Sequence, residues 1–168
     1  VMGGPVQSEQ GILGGIYGGK IDDLPKCKKY LNSFCKSVFN FGDVSKASSA
    51  KLLSNFLSLM TTTSVIEFFK SAKKLDINIK LLCDVARLGS GNSGALDRIA
   101  YKALKGNYKG YVFSVDNTYK DLNYINDLVS DLPNANKLSK MAKSFYKMAS
   151  NKGFGNLLIS ELINKEKY

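Results

Sequence analysis

The sequence predicts a mainly α protein: a bundle of about six helices preceded by a short α/β unit. Three observations carry this. Strand signals occur only before Gly42, apolar residues beyond it recur at helical spacing, and each recurrence ends at a Gly, Asn or Pro stop. With 168 residues there is room for one domain, or one domain and part of another. The division expected is 1–42 for the α/β unit and 43–168 for the helical domain.

Glycine is dense in 1–20, which permits tight turns between short strands or close backbone approach to a ligand. Amides exposed there could receive an anion, although a flexible loop accounts for the same composition. A strand is predicted at about 12–17. A helix over about 22–34 follows, with Asp22 and Asp23 at its positive end and Lys26, Lys28 and Lys29 further along. Residues 37–41 read as a second strand. Strand, helix and strand in succession resemble the trailing edge of an α/β domain. Since the chain opens at Val1 without a start methionine, the rest of that domain is expected upstream.

After Gly42 a helix is predicted from about 45 to 74, roughly 45 Å at 1.5 Å per residue. Placed on a helical wheel, Leu59, Leu52, Phe56, Met60, Leu53, Leu57 and Ala50 form one broad arc, the predicted core face. The remaining sector holds Ser48, Lys51, Ser54, Asn55, Ser58 and Thr62, with Lys51 and Asn55 one turn apart. A solvent-facing helix normally mixes Glu, Lys and Arg. Small hydroxyls around one lysine resemble the wall of a cleft, although the wheel alone also fits an ordinary surface lysine. Further helices are predicted at about 79–88, 93–105, 115–132, 134–151 and 156–165, with stops at Gly89, Gly106 and Pro133.

Composition excludes several chemistries. There is no histidine, which removes Ser-His-Asp and Cys-His catalysis and most zinc sites, so no metal is expected. Cys27, Cys35 and Cys83 have neither even number nor C-x-x-C spacing, which fits reduced thiols in a cytoplasmic protein. The opening residues do not read as a signal peptide, and polar residues interrupt the apolar stretch from Leu52 to Phe69, so no membrane partner is expected. The 24 Lys+Arg against 14 Asp+Glu give +10, a balance suited to anionic partners. Lysines scattered from Lys20 to Lys167, arginine only at Arg87 and Arg98, and the lack of a recognisable motif argue against nucleic acid. A small anionic substrate or cofactor explains the charge equally well.

The order of motifs resembles the C-terminal portion of the β-hydroxyacid dehydrogenases, the family of 3-hydroxyisobutyrate dehydrogenase and 6-phosphogluconate dehydrogenase. A substrate-binding S-G-G corresponds to Met2-Gly3-Gly4, and G-A-x-x-G-x-L to 7–13. The strand-ending V-G-G corresponds to Tyr17-Gly18-Gly19. The pattern G-x-x-G-x-G-x-x-x-K-x-x-x-N falls on Gly42, Ser45, Ala47, Lys51 and Asn55. An F followed seven residues later by K-D-L matches Phe113 and Lys120-Asp121-Leu122. Departures are Met2 for the substrate-facing serine and Gln7, Ser45 and Ala47 for glycines.

The resemblance implies that 1–42 ends a Rossmann domain whose upstream part binds NAD or NADP, and that the helical domain completes an interdomain cleft. It implies hydride transfer between the nicotinamide and a small β-hydroxy acid, with Lys51 as the catalytic residue. A lysine can move the hydroxyl proton if desolvation lowers its pKa toward neutrality, and its ammonium would stabilise oxyanion character. Asn55 would orient substrate or lysine, Met2, Gly3 and Gly4 would meet the substrate carboxylate, and Phe113 and Lys120 would lie beside the cofactor, with Asp121 pairing locally. A homodimer or homotetramer through the helical domain is expected. The departure at Met2 keeps an imine or other carbonyl reductase open as a second reading, and a non-catalytic helical dimerisation module is a third. The fragment alone is expected to be inactive.

Overall fold

The computed structural model describes residues 1–165. The chain forms two compact units, Val1–Asn55 and Phe56–Tyr168, and the division falls within one continuous helix.

The first unit contains α1 (Pro5–Glu9), β1 (Leu13–Tyr17), α2 (Leu24–Leu31), β2 (Cys35–Asn40) and the opening of α3 (Val44–Lys74). The strands run parallel, Gly15 beside Val38 and Tyr17 beside Asn40, with α2 in the crossover that a parallel pair requires. Met2 and Gly14 exchange both backbone hydrogen bonds, at 2.7 and 2.9 Å, so β1 is also bridged by the chain's second residue. Leu13, Cys35 and Ala47 are buried here. The helix expected over 22–34 is shorter: a 3-10 turn at Ile21–Asp23 precedes α2. Beyond it the Ser33 hydroxyl donates to the Tyr30 carbonyl at 2.6 Å, a side-chain alternative to further helix. The five-residue α1 was not foreseen; Pro5 opens it, where a missing N–H costs nothing.

In the second unit, the rest of α3 is followed by α4 (Ile79–Leu88), α5 (Gly94–Ala103), α6 (Val115–Leu128) and α7 (Pro133–Ala149). A π turn at Ser150–Phe154 and a 3-10 helix at Ile159–Asn164 complete it. Among the described residues the chain has seven α-helices beside shorter helical turns; beyond Gly42 there are five α-helices, a π turn and a 3-10 helix, where a bundle of about six α-helices was expected. Asn78, Ser93 and Ser114 each accept the N–H three residues on, at 3.1, 3.1 and 3.3 Å, starting α4, α5 and α6 as N-caps. Leu96, Ile99, Leu122, Ile125, Ala142 and Ile159 are the centre of its core. Two ends differ from expectation. The helix expected to reach 132 stops at Leu128, and Pro133 starts α7 because a proline suits the first turn of a helix.

The wheel reading of α3 needs correction. Leu53 and Leu57 are 47% and 72% exposed, whereas Thr62 and Thr63 are buried. Their hydroxyls donate to Ser58 O and Leu59 O one turn back, at 2.8 and 2.7 Å, which satisfies the polar atom and lets the rest of each side chain pack. The polar sector therefore does not run the length of the helix. By length and composition α3 is also long and apolar enough to cross a bilayer. A core helix meets the same criterion, and Leu59, Ile66 and Phe69 are buried within the protein.

Candidate active site

The start of α3 sets where its polar residues lie. Asp43 Oδ1 accepts the Ser45 hydroxyl at 2.6 Å and the Lys46 N–H at 2.9 Å, an N-cap arrangement. These two bonds, the Ser45 hydroxyl foremost, hold the Asp43 carboxyl below the usual carboxylate range. Behind it, Gly18 lies against the helix: a Cβ there would come within 2.5 Å of both Asp43 O and Ala47 Cβ. Gly19 N–H donates to Gly42 O at 2.7 Å, tying the end of β1 to the turn before α3. Gly18 thus serves close packing of helix on strand, while a Cβ on Gly19 would meet only the Tyr17 ring.

Two turns into α3, Lys51 Nζ donates to Met2 Sδ at 3.3 Å and to Asn55 Oδ1 at 3.1 Å. Residues 49 positions apart meet because the Met2–Gly14 bridge and the Gly18 contact refer both to β1. Lys51 and Asn55 are half-buried, as is Met2. Gly3, at φ +119°, adopts a conformation that favours glycine, and a Cβ on it would strike Leu13 Cδ2. The Gly4 N–H donates to Gln7 Oε1 at 3.0 Å. Chemically, this is an ammonium, able to give a proton or steady a negative oxygen, set between a thioether and an amide.

Met2, Lys51 and Asn55 are therefore brought together, with Gly3 and Gly4 next to them in the chain. Phe113 and Lys120 belong to the second unit. Phe113 is half-buried in the extended segment before α6, where its carbonyl accepts the Ile159 N–H at 2.9 Å. Lys120 lies on α6 and pairs with Asp121 at 3.3 Å, its own side chain 57% exposed and that of Asp121 13%. The local pairing expected of Asp121 is present. Clefts of about 440 and 540 Å³ in this unit are lined by other residues, chiefly around Tyr108 and Lys70.

Sequence reasoning gave Gln7 no role beyond replacing a glycine. Its position three residues after Gly4 was the available signal, since Gln at the third helical position characteristically reaches back to the N-cap amide.

The family model that matches residues 45–165 is described as the NAD-binding domain of NADP-dependent 3-hydroxyisobutyrate dehydrogenase. Among curated proteins nothing matches the chain. Solved structures do. A 3-hydroxyisobutyrate dehydrogenase from Salmonella typhimurium aligns with a TM-score of 0.83 at 24% identity, over 96% of this chain and 56% of that one. The Mycobacterium tuberculosis 3-hydroxyisobutyrate dehydrogenase, solved with L-serine, gives 0.81 at 22%, over 96% and 57%. Psf3 in complex with NADP+ and 2-OPP gives 0.76 at 21%, over 96% and 56%. These likenesses establish the fold, and the chain spans little more than half the length of the proteins it matches.

Proposed function

Because the chain belongs to the family of the NAD-binding domain of NADP-dependent 3-hydroxyisobutyrate dehydrogenase, we propose that it is part of a nicotinamide-dependent oxidoreductase that interconverts a small 3-hydroxy compound and its carbonyl counterpart, with Lys51 as the catalytic residue. The cofactor class is NAD or NADP. The observation that carries the catalytic assignment is the convergence of Met2 and Asn55 on the Lys51 ammonium, 3.3 and 3.1 Å from Nζ.

When bound, the nicotinamide would supply or take up the hydride. In the oxidising direction Lys51 Nζ, once deprotonated, would receive the substrate's hydroxyl proton. In the reducing direction Nζ returns the proton to the new alkoxide. Its positive charge stabilises that oxygen while charge develops there. Asn55, one turn away on the same helix, holds Nζ in place through Oδ1, so the proton carrier does not have to be ordered during reaction. Phe113 and Lys120 would hold the cofactor. They fit, since an exposed ammonium can meet an anionic dinucleotide and a half-buried ring offers an apolar surface.

The test is Lys51→Ala in the full-length protein. Turnover with either nicotinamide should fall by about three orders of magnitude or more, the scale of lost acid–base and charge stabilisation, with circular dichroism unchanged. Retention of the original kcat would remove Lys51 from the mechanism.

A further inference from the structure

We propose that Met2 is a site of reversible oxidation: a peroxide converts its thioether to the sulfoxide, and the new oxygen binds the Lys51 ammonium and arrests proton transfer. This rests on the reading of Lys51 as proton carrier. The family pattern places a serine here, whose hydroxyl has no such oxidised form. This chain has Met2 instead, with Sδ 3.3 Å from Nζ. Hydrogen peroxide alone balances the step. A sulfur lone pair takes one peroxide oxygen, the O–O bond breaks, and the second oxygen collects the remaining proton and leaves as water, so that sulfur is oxidised and the peroxide reduced.

The geometry makes this change of acceptor felt at Nζ. A thioether accepts a hydrogen bond only weakly, so in the reduced protein it does little to hold the lysine's proton. A sulfoxide is polar, and a hydrogen bond to the charged form of a group favours that form. Oxidation thus keeps the proton on Lys51 when the reaction needs it to leave. Met2 cannot retreat with its main chain, because its N–H donates to Gly14 O at 2.7 Å and its carbonyl accepts the Gly14 N–H at 2.9 Å. Its side chain has three rotatable bonds, enough to turn the added oxygen toward Nζ without disturbing that bridge. Met2 is half-buried, open enough for a molecule as small as peroxide. Met141 and Met148 are 47% and 44% exposed and lie on α7, in the second unit, where their oxidation provides a comparison.

The experiment treats the full-length protein with hydrogen peroxide and follows the oxygen gained at Met2 by peptide mass spectrometry. Two readouts accompany it: turnover of 3-hydroxyisobutyrate with NADP+, and the pH dependence of Lys51 acetylation by trace acetic anhydride, which only the neutral amine undergoes. As Met2 is oxidised, turnover at neutral pH should fall about tenfold and the acetylation midpoint should rise by about one pH unit, the scale of a hydrogen bond to a charged group. Methionine sulfoxide reductase should reverse both changes, and dithiothreitol, which acts on oxidised cysteine, should reverse neither. Met2→Leu should keep its own starting turnover through the same treatment, although Met60, Met141 and Met148 remain oxidisable in it. The reductase arm uses the unaltered protein and decides the matter should that variant not fold. Met2 left intact while Met141 and Met148 react, an unmoved acetylation midpoint, or an equal loss in Met2→Leu overturns the proposal. A midpoint that rises with Met2 oxidation in a protein that transfers no hydride supports the Met2–Lys51 switch and overturns the oxidoreductase reading instead.

Discussion

The Lys51 ammonium donates to the thioether sulfur of Met2 across 3.3 Å, joining the second residue of the chain to the second turn of α3. A thioether is a weak acceptor, so the stronger partner of the pair at Nζ is the Asn55 amide oxygen at 3.1 Å.

Asn55→Ala removes that oxygen and leaves the helix intact, since alanine is the best helix former. In the full-length protein kcat/KM for substrate should fall about 10- to 100-fold, the scale of a misplaced catalytic group. The dissociation constant of the nicotinamide, measured by fluorescence titration, should change less than twofold. An equal loss of both would mean that Asn55 serves the cofactor.

Gly18→Ala tests the docking of α3 on β1. The added methyl would meet Asp43 O and Ala47 Cβ at 2.5 Å and Val44 Cα at 2.9 Å, and two of these atoms are backbone. A loss of about 1–3 kcal/mol in urea unfolding is expected, the range for overpacking. Because the same contact positions Lys51, turnover should fall with it; an unchanged midpoint would contradict the packing described.

Asp43 gives the start of α3 an acid sensitivity. Its carboxyl is held below the ordinary value of 3.8 by the Ser45 hydroxyl and then the Lys46 N–H. The folded form therefore favours the ionised group. The resulting stability is present above that ordinary value and is lost as pH falls through the lower folded one. Hydrogen-exchange protection of the Lys46 amide should decline in that acid window. In Asp43→Ala it should be low throughout; persistent protection there would show that the cap is dispensable.

Tyr146 predicts the opposite pH limit. It is 1% exposed, and its hydroxyl is 2.7 Å from Thr63 Oγ1. Thr63 gives its only proton to Leu59 O, so Tyr146 is the donor of the pair. Burial raises the phenol above its ordinary pKa of 10.0. Its contribution to stability is complete below pH 10.0 and declines as pH rises toward the higher folded value. Tyr146→Phe should cost about 1 kcal/mol at neutral pH and flatten the alkaline loss of stability. An unaltered alkaline slope would point to other tyrosines.

Much of the fold was legible. The N-caps Asn78, Ser93 and Ser114, the change from strand to helix at Gly42 and the run of α3 without a Gly or Pro are local signals, and the elements start close to where those signals lie. Helix ends were less legible. Pro133 reads as a stop in sequence and turns out to be a start, because a proline ending one helix and a proline opening the next look alike until neighbours settle it. The burial of Thr62 and Thr63 was hidden for a similar reason, since a threonine's polarity is cancelled only by a carbonyl one turn back within a folded helix.

By itself the sequence determined the mainly helical class, the positions of Lys51 and Asn55 one turn apart, and the absence of histidine chemistry, because periodicity and composition are properties of the chain. Tertiary structure decided that Met2, 49 positions away, meets Lys51. The physical reason is that this contact depends on where β1 places its neighbours: the Met2–Gly14 bridge on one side and the bare Gly18 surface against α3 on the other.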